Sequence, residues 1–169
     1  YWYQESPVWK HPRLQNFVPR ERLDAVARRN LQIPEIEWNH PNAAALTKGL
    51  HDSGVRVHLG GHGQREGLAA HWELWMLAEG GFRNLDAWRA ATISGAQYLG
   101  IDQSLGSIEV GKLADLIVVE GQPLENIRDS ERIRYTIVNG RLYDAATMNE
   151  LGNSPRTRAP FFWERPRSD

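Results

Sequence analysis

An α/β fold is predicted by two observations. Up to Leu99, helical periodicity surrounds one short apolar run of β-like alternation. After Gly100, short β-rich stretches follow one another between glycine turns. The size agrees: 169 residues suit one domain, and 41% apolar with 24% charged residues is ordinary for a globular chain.

Residues 1–41 are rich in Trp, Pro and Arg, and their one good helical pattern is residues 20–30, introduced by Pro19. Alanines and leucines predict a second helix over residues 42–52, stopped by Ser53-Gly54. The run VRVHL at residues 55–59 predicts a buried strand, with Val55, Val57 and Leu59 on one face and Arg56 and His58 on the other. A helix over residues 70–79 carries Trp72, Trp75 and Met76 at i, i+3, i+4 and closes at Gly80-Gly81. Leu85, Trp88, Ala91 and Ala96 fall near one stripe of a further helix over residues 85–99.

Beyond Gly100, GSIEV and LADLIVVEG read as strands joined by a turn at Gly111-Lys112. IRYTIVNGRLYD reads as a hairpin, because Asn-Gly between two strand-like runs supplies the two left-handed residues of a tight turn. From Ala145 onward Pro, Arg and Asn predict an irregular tail, anchored by the FFW at residues 161–163.

Composition excludes several classes of function. With 20 basic and 21 acidic residues the net charge is -1, which gives no electrostatic reason to expect nucleic acid or an anionic membrane. No apolar run approaches the roughly 18–20 residues that span a bilayer. Without cysteine there is no disulfide, thiolate ligand or thiol nucleophile. No Gly-x-Ser-x-Gly elbow points to a serine hydrolase.

The stretch NLDAWRAATISGAQYLGIDQSLGSIEVGKLADLIVVEGQPLENI, followed by IVNGRLYD, resembles the C-terminal part of the metal-dependent amidohydrolase superfamily, nearest its imidazolonepropionase-like and dipeptidase-like branch. The resemblance covers residues 54–144, and GSIEVGKLADL is its most specific element. Residues 1–29 resemble, more weakly, the segment ahead of the last barrel strand in a propeller-associated subgroup. The implied fold is α/β: the C-terminal fragment of a (β/α)8 TIM-like barrel, followed by strands of a small β-sandwich. Residues 1–105 would be the last part of the barrel, 106–144 the sandwich strands and 145–169 the tail. The chain would then be the last part of a longer protein.

The family usually carries an aspartate, in a Gly-Thr-Asp context, at the end of its last barrel strand, where it touches the metal and takes a proton from the attacking water. Here that stretch is Gly60-Gly61-His62, so the resemblance puts His62 at the catalytic and metal-ligating position. Imidazole is a competent ligand or base near neutral pH. The residues alone favour the plainer reading, a histidine in a glycine turn. The other family ligands (a His-x-His pair, a frequently carboxylated lysine and two further histidines) belong to earlier strands.

Arg65, in the loop that follows, is a candidate for pairing with a substrate carboxylate, and His71 for a substrate contact; each has a plainer reading, as a solvated charge or as a helix-start residue. His71 and Glu73 do not make a metalloprotease motif, since residues two apart on a helix point to nearly opposite sides. His58 reads as packing: four extended residues span about 13 Å, too far for it to share a metal with His62. Trp72, Trp75 and Trp88 read as core, and Gly106, Gly111, Lys112 and Asp115 as turn and sheet determinants.

The expectation is a hydrolase of amide, peptide or cyclic amide C–N bonds, inactive as the isolated chain. A divalent metal, zinc first, is implied in the complete enzyme, with none required on this fragment. The partners implied are a small-molecule or dipeptide-like substrate and a second copy or complementing chain. The alternative is a non-catalytic folded module, or a truncated gene product, that assembles with another chain.

Overall fold

The computed structural model describes residues 8–27, 33–61 and 67–165. They form two compact units, one made of the described residues up to Trp38 together with those from Thr157 onward, the other running from Asn39 to Arg156. No helix among the described residues is long and apolar enough to cross a membrane.

In the first unit a 3-10 turn, Val8–Lys10, meets helices α1 (Pro12–Phe17) and α2 (Arg20–Ala27). Pro12 stands where a helix has an unpaired N–H in any case, so its ring costs nothing there. Val8, Leu14, Val18 and Leu23 are buried. The expected helix over residues 20–30 is observed to Ala27, and its last residues lie outside the described ones. The aromatic anchor in the tail is present: Phe161 stacks on Trp163 at 4.6 Å and meets Phe17 edge-on at 6.3 Å. Arg158 lies 4.4 Å from the Phe161 ring and pairs with Glu164 through bonds of 2.7 and 2.6 Å.

The second unit is α/β, with four helices and a three-stranded antiparallel sheet. Helix α3 is His40–Asp52, opening on Pro41 and closing at Ser53-Gly54 as the stop signal predicts. Helix α4, Leu68–Glu79, is the centre of the unit. Leu68, Trp72, Leu74, Trp75 and Leu77 are all buried, so it is enclosed on more than one face, by α3 and by α5 (Asn84–Ala90). The 3-10 turn Ile127–Glu131 closes a further side.

Glu79, at the end of α4, meets the His40 imidazole at 3.4 Å and the Arg128 guanidinium at 3.3 Å. The Arg128 guanidinium also lies 4.8 Å from the Trp75 ring centre. Asn84 and Trp88 of α5 donate to the carbonyls of Leu124, Glu125 and Pro123, which fastens the loop after the first strand to the helices.

Three expectations change. The helix over residues 85–99 is two, α5 and α6 (Ile93–Leu99), because Thr92 leaves the helical region at φ -132°, ψ -98° and its hydroxyl bonds to the Trp88 carbonyl. Residues 55–59 belong to no strand and are partly exposed, Val55 by 49%. No other strand of the described residues lies alongside to complete a ladder, and a β-like sequence without a partner cannot form one. GSIEV fails as a strand for the same reason, with Ile108 86% exposed.

Gly106 of that element has a different task. Its φ is +93°, and a Cβ there would sit 2.7 Å from the Ala96 Cβ, so only glycine lets the chain pass over α6.

The sheet runs β1 (Leu116–Val119), β2 (Ile133–Val138), β3 (Arg141–Asp144), in that order. The predicted hairpin is present, with Val138 opposite Arg141 and both turn residues left-handed, Asn139 at φ 48° and Gly140 at φ 77°. Asp115 accepts the Asn139 N–H at 2.6 Å and so ties the start of β1 to the turn. The tail is less irregular than expected up to Arg156: Glu150 bridges Tyr143 and Arg156, and Arg141 pairs with its carboxylate.

Two predictions follow from this packing. A Cβ on Gly80 would lie 2.6 Å from the carbonyl carbon and oxygen of Ala44, whereas Gly49, inside α3, has nothing within 4 Å. In urea unfolding, Gly80→Ala should cost about 1–3 kcal/mol by overpacking. Gly49→Ala should instead add about 0.5–1 kcal/mol by stiffening the unfolded chain. The second concerns pH. Hydrogen bonds from Arg158 first, then from the Phe161 N–H, lower the Glu164 carboxyl from 4.5 to about 2. Because the folded value is depressed, the pair stabilises above pH 4.5 and is lost as pH falls through about 2. Carboxyl NMR should place the Glu164 midpoint near 2, and Arg158→Ala should move it up toward 4.5.

Candidate active site

The chain enters the candidate site along residues 55–61, and helices hold its last three residues. The Leu59 N–H donates to the Ala90 carbonyl at the end of α5, at 3.0 Å. The next amide, Gly60 N–H, donates to Glu73 Oε2 of α4, at 3.0 Å. Gly61 lies against the first turn of α4: a Cβ there would stand 3.3 Å from the Ala70 nitrogen. The strap directly before residue 62 is thus held by two helices and pressed on one of them.

His62 and Arg65, the candidates for catalysis, metal ligation and substrate binding, lie outside the described residues, as do the neighbouring Gln64 and Glu66. His71 is described. It stands in the first half of α4, half-buried, with Nδ1 3.2 Å from the Ser130 hydroxyl. Trp75, one turn on, donates its indole N–H to the same oxygen at 2.8 Å. Ser130 has 0% exposure, so no substrate reaches its hydroxyl.

Sequence reasoning passed over Ser130 and gave Glu73 no role of its own. Ser130 sits in a polar turn whose geometry is set locally: the Asn126 side chain accepts from Arg128 N–H, and Asp129 from Gln122 N–H. Nothing in SERIR marks that hydroxyl as the partner of a tryptophan 55 residues earlier. Glu73 and His71 do point to different partners, as their i, i+2 spacing requires. His58 packs on Tyr98 with ring centres 4.5 Å apart.

At the other end of the strap is a cleft of about 380 Å³, lined by His51, Arg56, Phe82, Arg83, Asp86, Arg89 and Ser94 among others. Arg83 donates to Asp86 at 2.6 Å, and this bond is the main reason its carboxyl titrates below the usual range; Arg89 follows at 3.6 Å. The cleft opens beside residues 54–57, at the opposite end of the segment from residue 62.

Among the described residues no three His, Asp or Glu side chains come together as a metal site. They do not fit a divalent ion by themselves, and no chemical step is assigned to one in this geometry.

Comparison with known proteins is specific. A profile of the amidohydrolase family matches residues 8–143. An imidazolonepropionase of Picrophilus torridus is 47% identical over 58 residues, 32% of this chain and 15% of its own length. A 5′-deoxyadenosine deaminase of Methanobrevibacter smithii is 42% identical over 53 residues, 31% of this chain and 12% of its own. The crystal structure of a Xaa-Pro dipeptidase with methionine bound in its active site superposes with a TM-score of 0.57 at 30% identity, covering 81% of this chain and 32% of the dipeptidase. The matched part of this chain thus spans about a third or less of each of these relatives.

Ser130→Ala leaves the Trp75 indole N–H without its acceptor, at a cost of about 1–3 kcal/mol in chemical denaturation. Ser130→Thr keeps the acceptor but adds a methyl at a fully buried point, so it should recover the stability only in part. A Ser130→Ala midpoint within error of wild type would show that the indole finds another partner.

Proposed function

The chain belongs to the amidohydrolase family, and from that premise we propose that it is the C-terminal portion of a metal-dependent hydrolase of amide, peptide or cyclic amide C–N bonds. The observation that carries the reading is the strap. Residues 55–61 lead to residue 62 on a backbone fixed by Ala90 and Glu73, at the place where the resemblance puts the end of the last barrel strand. In such barrels, side chains at strand C-terminal ends form the active site. That residues 55–59 pair with no strand among the described residues supports a barrel whose neighbouring strands come from elsewhere in the protein. Ile117 and Val118, each 43% exposed, lie on opposite faces of β1, so a second sheet layer on either face would cover an apolar side chain and complete a sandwich.

In this reading the single lone pair of neutral His62, of ordinary pKa about 6.5 in place of a carboxylate of about 4, serves either as a metal donor or as a proton acceptor. The remaining donors come from outside the described residues, zinc being the first candidate ion. Arg65 pairs with a substrate carboxylate and His71 contacts substrate, which suits a small dipeptide-like or cyclic amide substrate. A single metal donor does not make a catalytic centre, so the isolated chain is inactive and works as part of a longer chain or with a complementing one. The open residues 55–59 also favour a second reading, a non-catalytic module that assembles with another chain through that segment.

The test is turnover in the full-length protein. His62→Ala should lower kcat by about 10²-fold or more, and His62→Asp should keep part of it. Activity should fall on acidification through about pH 6.5, since an imidazolium neither accepts a proton nor binds metal. Near-wild-type turnover and metal content in His62→Ala would reduce His62 to a turn residue.

A further inference from the structure

Three arginines line the cleft of about 380 Å³ beside residues 54–57, against a single carboxylate, that of Asp86. The chain as a whole carries a net charge of -1, so this positive balance is local. Arg83 caps α5, and Asp86 and Arg89 follow at three-residue steps, which makes them neighbours on the helix surface. Arg56 joins them from the strap. Asp86 does not neutralise the cleft. Its carboxylate is taken up by Arg83, which donates through Nε at 2.6 Å and Nη2 at 3.1 Å, while Arg89 stands 3.6 Å away. A guanidinium has five N–H donors, so two spent on Asp86 leave Arg83 with three in the same rigid plane. Arg56 makes no ion pair with a carboxylate of the described residues. Phe82 adds an apolar wall: it is 4% exposed, its ring lies 4.8 Å from that of His51, and Val57 and Ala90 line the cleft with it. A cleft of this volume, with apolar walls and a few charged groups, has the usual form of a small-molecule site.

We propose that this cleft binds a small organic oxyanion, a carboxylate or phosphate head on a short apolar body. The head pairs with Arg56 and Arg83, whose planar forks match the oxygens of either group. The body lies against Phe82 and Val57. Asp86 is a brace. With a side chain only 13% exposed, it holds the Arg83 guanidinium and presents little charge of its own to repel the ligand. The Arg83 and Arg89 side chains are 77% and 59% exposed, so the attraction is screened by salt and binding weakens with ionic strength. Failure of this proposal would leave the preceding reading untouched, since no group of the cleft enters it.

The experiment titrates the full chain with phenyl phosphate, benzoate and inorganic phosphate, following backbone amide shifts by NMR. Phenyl phosphate or benzoate should bind saturably, with the largest shifts in residues 54–57 and 82–90. Binding should weaken at least about threefold between 0.01 M and 1 M salt, as the screening length falls from about 30 to about 3 Å. Whichever probe binds more tightly assigns the head, a phosphate ester or a carboxylate, and either order supports the site. Arg56→Gln breaks no ion pair of the described residues, so the fold is kept, and it should weaken binding about 5–20-fold. Arg83→Gln should weaken it at least as much, because it also releases the Asp86 carboxylate into the cleft. Arg56→Lys should keep part of the affinity, as a point charge without the fork. The absence of saturable shifts from all three probes up to about 10 mM would overturn the proposal. So would shifts that map away from the cleft, or an Arg56→Gln affinity equal to wild type. Inorganic phosphate binding as tightly as both organic probes would leave the apolar wall unused and overturn the assignment of an organic ligand.

Discussion

A helix with five buried side chains spread over more than one face must be surrounded, and α4 imposes that requirement on the unit from Asn39 to Arg156. Trp72, Leu74, Trp75 and Leu77 each carry about 1.5–3 kcal/mol of burial, which no single neighbour could supply. Hence α3 lies on one side, α5 on another and the turn Ile127–Glu131 on a third. The polar atoms of α4 then need partners within that enclosure. The Trp75 indole N–H finds Ser130, and the Arg128 guanidinium covers the Trp75 ring while pairing with Glu79. Apolar demand brings the turn to the helix, and two polar contacts fix its register.

The strap depends on the same enclosure. Leu59 and Gly60 donate to α5 and α4, and Gly61 rests on the α4 backbone, so the path of the chain toward residue 62 is written by how those helices pack. His71 and Glu73 are the polar exceptions in the first half of an otherwise apolar helix. Each reaches away from it, one to Ser130 and the other to Gly60. Polar residues on a buried helix are costly unless satisfied, and here satisfying them is what joins the helix to its surroundings.

Local signals were readable in the sequence and long-range ones were not. The Asn139-Gly140 hairpin and the Gly80 end of α4 need only their neighbours, and both are present. VRVHL and GSIEV have β-like composition, but a strand is a relation between two segments, and neither finds its partner among the described residues. The break at Thr92 was missed because an alanine-rich stripe outweighed one hydroxyl bonded to the preceding turn. Ser130 and Glu73 escaped for one reason: their partners are 55 and 13 residues away, and no periodicity encodes a contact that only the packing of α4 creates. The candidate site rests on a position that lies outside the described residues. His62 stands out because glycines bracket it at the end of an apolar run, and a carboxylate was expected there.

That exchange has an electrostatic consequence. In the proposed reading, a metal centre built around an aspartate would count on one negative charge at the end of the last strand, and a histidine there would remove it and raise the intrinsic pKa of the local base from about 4 to about 6.5. The Glu73 carboxylate accepts the Gly60 amide and so holds the backbone ahead of that position. An imidazole ligand is neutral, directional and limited to one donor atom, so its usefulness depends on orientation more than that of a carboxylate with two oxygens.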